Sequence, residues 1–350
     1  MPRAAPAAPR RSVEIDTGVR VEAAPAPEVP AEEPPPEFAG FRMLGAAEIS
    51  AELRAQLLEK LAKISLPPRS LQELLSPEFL ASGTSRELAE FILREPVLAA
   101  KILARVNSPY YGLQSPIDSV QRAITFLGMN AVRNMALQFM VEESFRSEEP
   151  ALQALYGSIW DAGMIAADLC VLLSQKLGFS ESGASSTQTV LSFVGDFAVL
   201  TLLPADAALA SWQHALLQRT RMQQEVLGLN ASVAGSLLMR AWGLPDGITA
   251  GVEDIGALLV TPAPTTADAR ALRLALCYVC ARIGEAIAMG RVQDPAQVDP
   301  AAAGSAELHY VQTYLRRPEF ARLAEHLHAP DARLALARMI AASGARQRAG

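Results

Sequence analysis

Arg94-Glu95-Pro96-Val97-Leu98-Ala99-Ala100-Lys101-Ile102-Leu103-Ala104-Arg105-Val106-Asn107-Ser108-Pro109-Tyr110-Tyr111-Gly112, followed by Ser115-Pro116-Ile117-Asp118 and a run ending at Leu127-Gly128, is the stretch whose reading decides the fold. Pro96 suits the first turn of a helix, where its missing N–H has no intrahelical partner to lose. Leu98, Ile102 and Val106 recur four apart with Leu103 beside them, which predicts a helix with one buried apolar stripe. Asn107-Ser108-Pro109 ends it, because a residue before proline is pushed out of the α region. Asp118 or Ser119 then caps a second helix, with Val120, Ala123, Ile124 and Leu127 on one face and Gly128 just past its end. The stretch therefore reads as two packed helices joined by a tight, polar, tyrosine-bearing turn.

The same periods extend outward. Upstream, Thr84-Ser85-Arg86-Glu87 forms a capping box before Leu88, Phe91 and Ile92. Ile49, Leu53, Leu57 and Leu61 predict a helix over 46–63, which stops before Leu66-Pro67-Pro68. Downstream, Val132, Met135, Ala136 and Phe139 mark a helix over 130–145, broken by the charged run 144–150. Further helical text covers 152–177, 187–203, 206–227, 231–242 and 245–258, then 268–289 and two or three amphipathic segments, with 178–186, 261–266 and 290–304 as connections. Period-two alternation is scarce, so the fold class is all-α. The organisation read from this is a disordered Pro/Ala-rich tail (1–42), two helical lobes (43–149 and 150–260) and a C-terminal helical extension (261–350).

The composition narrows the function classes. Half of the 350 residues are apolar, 19% are charged, and the net charge is -6. That is not the basic balance of a nucleic-acid binder, so no nucleic acid is expected as a partner. Three cysteines in a chain this long argue against a disulfide framework and for a reducing, cytoplasmic setting. The first residues carry no secretory signal. Segments 190–203 and 271–289 are the most apolar, but Asp196, Arg273, Arg282 and Glu285 interrupt them, so no membrane insertion is expected.

The Glu95-Pro96 opening, the Asn107-Ser108 turn with Tyr111-Gly112 after it, Pro116-Ile117-x-Ser119-Val120 and Ala123-Ile124-x-x-Leu127-Gly128 resemble the signature of HDOD domains, as does the earlier Pro67-Pro68. These domains are helical relatives of HD-type metal phosphohydrolases, used in bacterial signalling. In the active relatives, histidine and aspartate ligands fix metal ions that acidify a water and stabilise phosphoryl charge. The resemblance carries their positions onto Asp161 after Trp160, onto Ser192-Phe193 ahead of Val194-Gly195, onto Asn230, and onto Glu253-Asp254 past Trp242-Gly243-Leu244-Pro245. None of the chain's four histidines lies there, and Phe193 cannot ligate a metal. The expectation is therefore no catalytic residue, no metal and no cofactor, with Ser192-Phe193 inside an ordinary core helix.

The remaining acids, Asp168 and Asp196 with Asp161, Glu253 and Asp254, read as solvated faces. Arg240 is the nearest basic side chain to the relict site, and no arginine cluster is evident. Cys277 and Cys280 read as buried core thiols within a helix, and His214, His326 and His328 as structural. Two roles fit Asn107, Ser108, Tyr110 and Tyr111: a capped turn whose tyrosine hydroxyls stay at the surface, or a turn facing the second lobe that forms part of a groove for a partner. The function expected is a non-catalytic regulatory protein that binds another protein in a bacterial signalling pathway. The alternatives are a relict pocket holding a cyclic di-nucleotide such as cyclic di-GMP without hydrolysing it, and a residual metal-dependent phosphohydrolase.

Overall fold

The helices that flank the Asn107 turn form as their residues dictate in the computed structural model, which describes residues 33–61, 64, 70–300 and 305–347. The residues read above as the first lobe form α1 (Ala51–Leu61), α2 (Ser70–Leu74), α3 (Pro77–Ser82), α4 (Ser85–Leu93), α5 (Pro96–Val106), α6 (Val120–Leu127) and α7 (Met129–Glu142), within one compact unit that covers 31–350. The second runs α8 (Pro150–Leu177), α9 (Ser182–Leu191), α10 (Val194–Leu202), α11 (Ala205–Ser211), α12 (Leu216–Leu227), α13 (Ala231–Ala241) and α14 (Asp246–Ala257). The C-terminal part adds α15 (Ala269–Ala288), α16 (Gln312–Leu315), α17 (Leu323–His328) and α18 (Pro330–Gln347). No strand occurs among the described residues.

Thr84 and Glu87 close the predicted capping box on α4. Leu98, Ile102 and Val106 are buried along α5. Ser119 caps α6 by accepting from the Arg122 N–H, while Asp118 pairs with the Arg122 guanidinium outside. Gly112 closes the tyrosine turn in the left-handed region (φ 59°), where a side chain would be strained.

Several boundaries differ from the sequence reading, each for a local reason. The helix predicted over 46–63 is a 3-10 turn at Ala46–Glu48 followed by α1. Pro67-Pro68 and residues 1–32 lie outside the described residues. The part of the predicted tail that is described, 33–42, is anchored. Phe38 is buried edge-on against Tyr310 with centroids 5.2 Å apart, and Arg221 donates to the Glu37 carbonyl and lies over Phe41. Two aromatic rings thus hold a segment whose composition otherwise reads as solvated.

The text at 187–203 divides into α9 and α10 at Ser192-Phe193, so these two residues form a junction rather than the middle of a core helix. There the Ser192 hydroxyl donates to the Thr189 carbonyl at 2.7 Å and competes with the backbone ladder. The text at 206–227 likewise divides around Trp212. α9 begins earlier than its serine-rich start suggests, because Ser186 and Thr187 bond to Asn134 of α7 and Arg133 reaches the Gly183 carbonyl.

α8 is the central rod, packed against α15 and α9, with α7 on one side and α17 and α18 on another. It is long and apolar enough to cross a membrane by composition alone, although the sequence reading named 190–203 and 271–289 as the most apolar segments, and 72% of its apolar window is covered by the protein. Because α15 lies along α8, one continuous core runs through both lobes and the C-terminal part. α10 crosses α13 at Gly195 and Gly235, where a Cβ on Gly195 would meet the Ala231 carbonyl oxygen at 1.8 Å. Backbone cannot yield as a flexible side chain would. Gly195→Ala is therefore expected to cost about 3 kcal/mol or more in denaturant unfolding, whereas Gly157→Ala, in open space on α8, is expected to stabilise by about 0.5–1 kcal/mol.

Candidate functional site

Ser192 and Asn230 do converge, from the α9–α10 junction and the start of α13. With Asp196, Thr220, Tyr278 and Arg282 they line a cavity of about 50 Å³. Asn230 caps α13, so its side chain is already engaged: the amide oxygen accepts from Val233 N at 3.2 Å and Ser232 Oγ at 2.7 Å. Its amide nitrogen donates to the Leu44 carbonyl at 2.8 Å and to Gln224 Oε1 at 3.0 Å. All four hydrogen-bonding positions of the group are filled. Gln224 in turn holds Leu44 N and the Arg42 carbonyl. Glu253 on α14 accepts from Ala46 N at 2.7 Å and from the Ser236 hydroxyl at 3.3 Å. The segment 42–46 is thus strapped across α12, α13 and α14, with Met43 forming one wall of the cavity.

The other positions carried over from the resemblance do not join this cavity. Asp161 on α8 is buried and faces Arg105 of α5, with Nη2 3.8 Å from Oδ1. Phe193 is 2% exposed and packs towards Gly163 of α8. Asp254 is paired with Arg270 at the surface. Among the described residues, no three His, Cys, Asp or Glu side chains are arranged to hold a metal ion. The donor set does not fit a metal of the HD type.

Asp161 and Asp196 are buried and Asp168 is half-buried, contrary to the expectation of solvated faces. Burial pushes the Asp168 carboxyl up to about 6, against the pull of the Tyr110 hydrogen bond and of Arg105. Burial likewise pushes Asp196 up to about 6, with Arg219 pulling it back.

Behind Asp196 lies a group that the sequence reading missed. Arg219 of α12, with no exposed side-chain surface, meets Glu285 of α15 through two parallel bonds of 3.1 and 2.9 Å and stacks on Trp212 at 3.9 Å. Arg282 and Arg291 bond the same carboxylate. Burial alone would raise Glu285, but these guanidinium groups hold it well below the usual carboxylate range. An arginine cluster therefore exists, and Arg240 is not part of it: it reaches Thr249 on the far side of α13. The available signal was Arg282 and Glu285 set three apart in otherwise apolar text.

At the tyrosine turn, Asn107 accepts from Ile117 N and donates to the Leu103 and Ile117 carbonyls, all at 2.8 Å, which caps α5 and pins the return of the chain. Tyr110 is buried and donates to Asp168 Oδ2 at 2.9 Å, so its hydroxyl is not at the surface. Arg105 covers its ring. Ser108 Oγ is enclosed without a hydrogen-bond partner among the described residues. Tyr111 stacks edge-on against Tyr110 and, with Leu113, Arg122, Phe126 and Arg338, lines an open groove of about 710 Å³. The turn faces both the second lobe and α18. Cys277 and Cys280 are buried free thiols, as expected for core positions, and Cys170 is a third.

The helices around the Asn107 turn, with no strand among the described residues, define an all-α fold. The HDOD domain family model matches residues 67–255, more than half of the chain, and the chain belongs to the HDOD family. Among solved structures, an HDOD domain protein of unknown function from Geobacter sulfurreducens is similar at 15% identity and TM-score 0.55, covering 82% of this chain and 97% of that one. A proposed phosphohydrolase from Shewanella amazonensis SB2B matches at 18% identity and TM-score 0.54, over 82% of this chain and 98% of that one. A proposed signal transduction protein from Marinobacter aquaeolei VT8 matches at 17% identity and TM-score 0.51, over 85% and 69%. At such identities these likenesses show the fold alone. No curated protein matches the chain.

Because the Asp168 and Asp196 carboxyls titrate higher in the fold than in the open chain, the folded protein holds protons that the unfolded chain has released. That contribution is complete below about pH 4 and is lost as pH rises through about 6. Chemical denaturation is expected to show stability falling over this window, by an amount that Asp168→Asn and Asp196→Asn each reduce by on the order of 1 kcal/mol. Glu285 acts in the opposite sense: its contribution is present above the ordinary carboxylate value and is lost only in stronger acid.

Proposed function

We propose that this HDOD protein is a non-catalytic regulatory component of bacterial signalling, working through contact with another protein. The observation that carries this is the commitment of Asn230 and Glu253 to the backbone of residues 44–46. The side chains in the places of metal ligands serve as a structural joint. The similarity in fold to a proposed signal transduction protein agrees with the reading. Three buried free thiols suit a reducing, cytoplasmic setting. The relict cavity, at about 50 Å³, is far below the roughly 300–1,000 Å³ that enclose a small-molecule ligand, so a cyclic di-nucleotide does not fit there with the strap in place.

The partner surface is the groove beside the tyrosine turn. Phe126, 54% exposed, supplies an apolar anchor between Arg122 and Arg338, a combination that suits a partner segment carrying an apolar side chain next to an acid. With manganese present, the protein is expected to hydrolyse bis(p-nitrophenyl) phosphate no faster than a buffer blank; turnover abolished by Glu253→Ala would contradict the reading. Affinity capture from the native organism is expected to retain a specific protein that Phe126→Asp with Arg338→Ala releases and that the exposed control Arg86→Ala does not. Identical capture by all three proteins would remove the groove from the account.

A further inference from the structure

Val97 stands 70% exposed in the first turn of α5, two residues after Glu95, and Leu93 is exposed at the end of α4. Val97, Leu98, Phe139 and Met140 line a cleft of about 210 Å³ between the start of α5 and the end of α7. That is below the roughly 300–1,000 Å³ that enclose small-molecule ligands, but a cavity of roughly 150 Å³ already holds a benzene ring. The cleft has room for one aromatic side chain.

The charges around it leave one acid over. Lys101 lies over the Phe139 ring and bonds to Glu143, which also accepts from Arg146. Glu95, exposed at the rim, has no side-chain partner among the described residues. The opposite arrangement stands at the groove beside the tyrosine turn. There the exposed Phe126 ring lies between Arg122, which is paired with Asp118, and Arg338, which is laid over Gly112 and has no partner among the described residues. An apolar side chain next to an acid is what that groove suits, and the chain presents one itself in Val97 and Glu95. Within one molecule the two surfaces lie apart: Phe126 is at the end of α6 that leads into α7, and the cleft is at the other end of α7, a helix of 14 residues and about 21 Å.

We infer that a second copy of this chain docks here, the Phe126 ring of one copy entering the cleft between Val97 and Phe139 of the other, with Arg338 of the first meeting Glu95 of the second. One ring and one ion pair make a weak, transient contact. Self-association withholds the groove from any other protein, a consequence that rests on the groove being the partner surface proposed above. Sedimentation velocity of the full chain from about 2 to 200 µM tests the docking. The weight-average sedimentation coefficient is expected to rise with concentration, and Val97→Asp, which lies outside the groove, to abolish the rise. Glu95→Arg and Arg338→Glu are each expected to weaken association about tenfold, and the double variant to recover it by inverting the pair. Thermal melting confirms that these variants, all at exposed positions, fold. A monomer across the whole range, association unchanged by Val97→Asp, or no recovery in the double variant overturns the inference. Each of these results leaves the partner role of the groove intact, because affinity capture measures that separately.

Discussion

Arg219 and Glu285 share a place where neither charge can reach water, and much of the second lobe is arranged around that fact. A buried guanidinium is tolerated only when its donors meet a carboxylate in good geometry, and here two parallel bonds and an indole face do so. The pair fastens α12 to α15, and α15 in turn is the main companion of α8. Arg282 and Arg291 draw on the same carboxylate, so this part of α15 presents a charged layer rather than a greasy one. Removing Glu285 alone would leave three cations without their common partner, whereas an apolar replacement of the whole set would not carry that penalty.

Ser192, Asn230 and Glu253, positions that the resemblance carries over from HD ligands, answer backbone demands. Asn230 caps a helix and holds a strap, Glu253 accepts the strap's N–H, and Ser192 ends a helix. Each is a hydrogen-bonding group next to a cavity too small for substrate. Gly195 keeps the close crossing of α10 and α13 beside that cavity. On the opposite face of α8, Asp161 and Asp168 are occupied by Arg105 and Tyr110 from the other lobe, which ties the two lobes together through buried polar contacts.

Much of the fold was legible because its signals were local. The stripe of Leu98, Ile102 and Val106, the Thr84-Glu87 box and the Ser119 cap depend only on near neighbours in the chain. What was not legible depended on partners far away in sequence. Ser186 reads as a loop until Asn134 is placed beside it, and Phe38 reads as tail until Tyr310 covers it. The acids of α8 and α10 looked solvated because periodicity alone cannot tell a water-facing aspartate from one facing an arginine on another helix. At the turn, Asn107 could be read as a cap, but the burial of the Tyr110 hydroxyl against Asp168 required the second lobe.

The proposed role of Asn230 and Glu253 as a structural joint rests on the strap staying seated. Amide hydrogen exchange at Leu44 and Ala46 measures it directly, since their N–H groups donate to Gln224 and Glu253. Slow exchange, comparable to that of the buried helices and accelerated at Ala46 by Glu253→Ala, is the expected result. Exchange at the rate of an open chain in the native protein would contradict it, because Asn230 and Glu253 would then stand free as ligands.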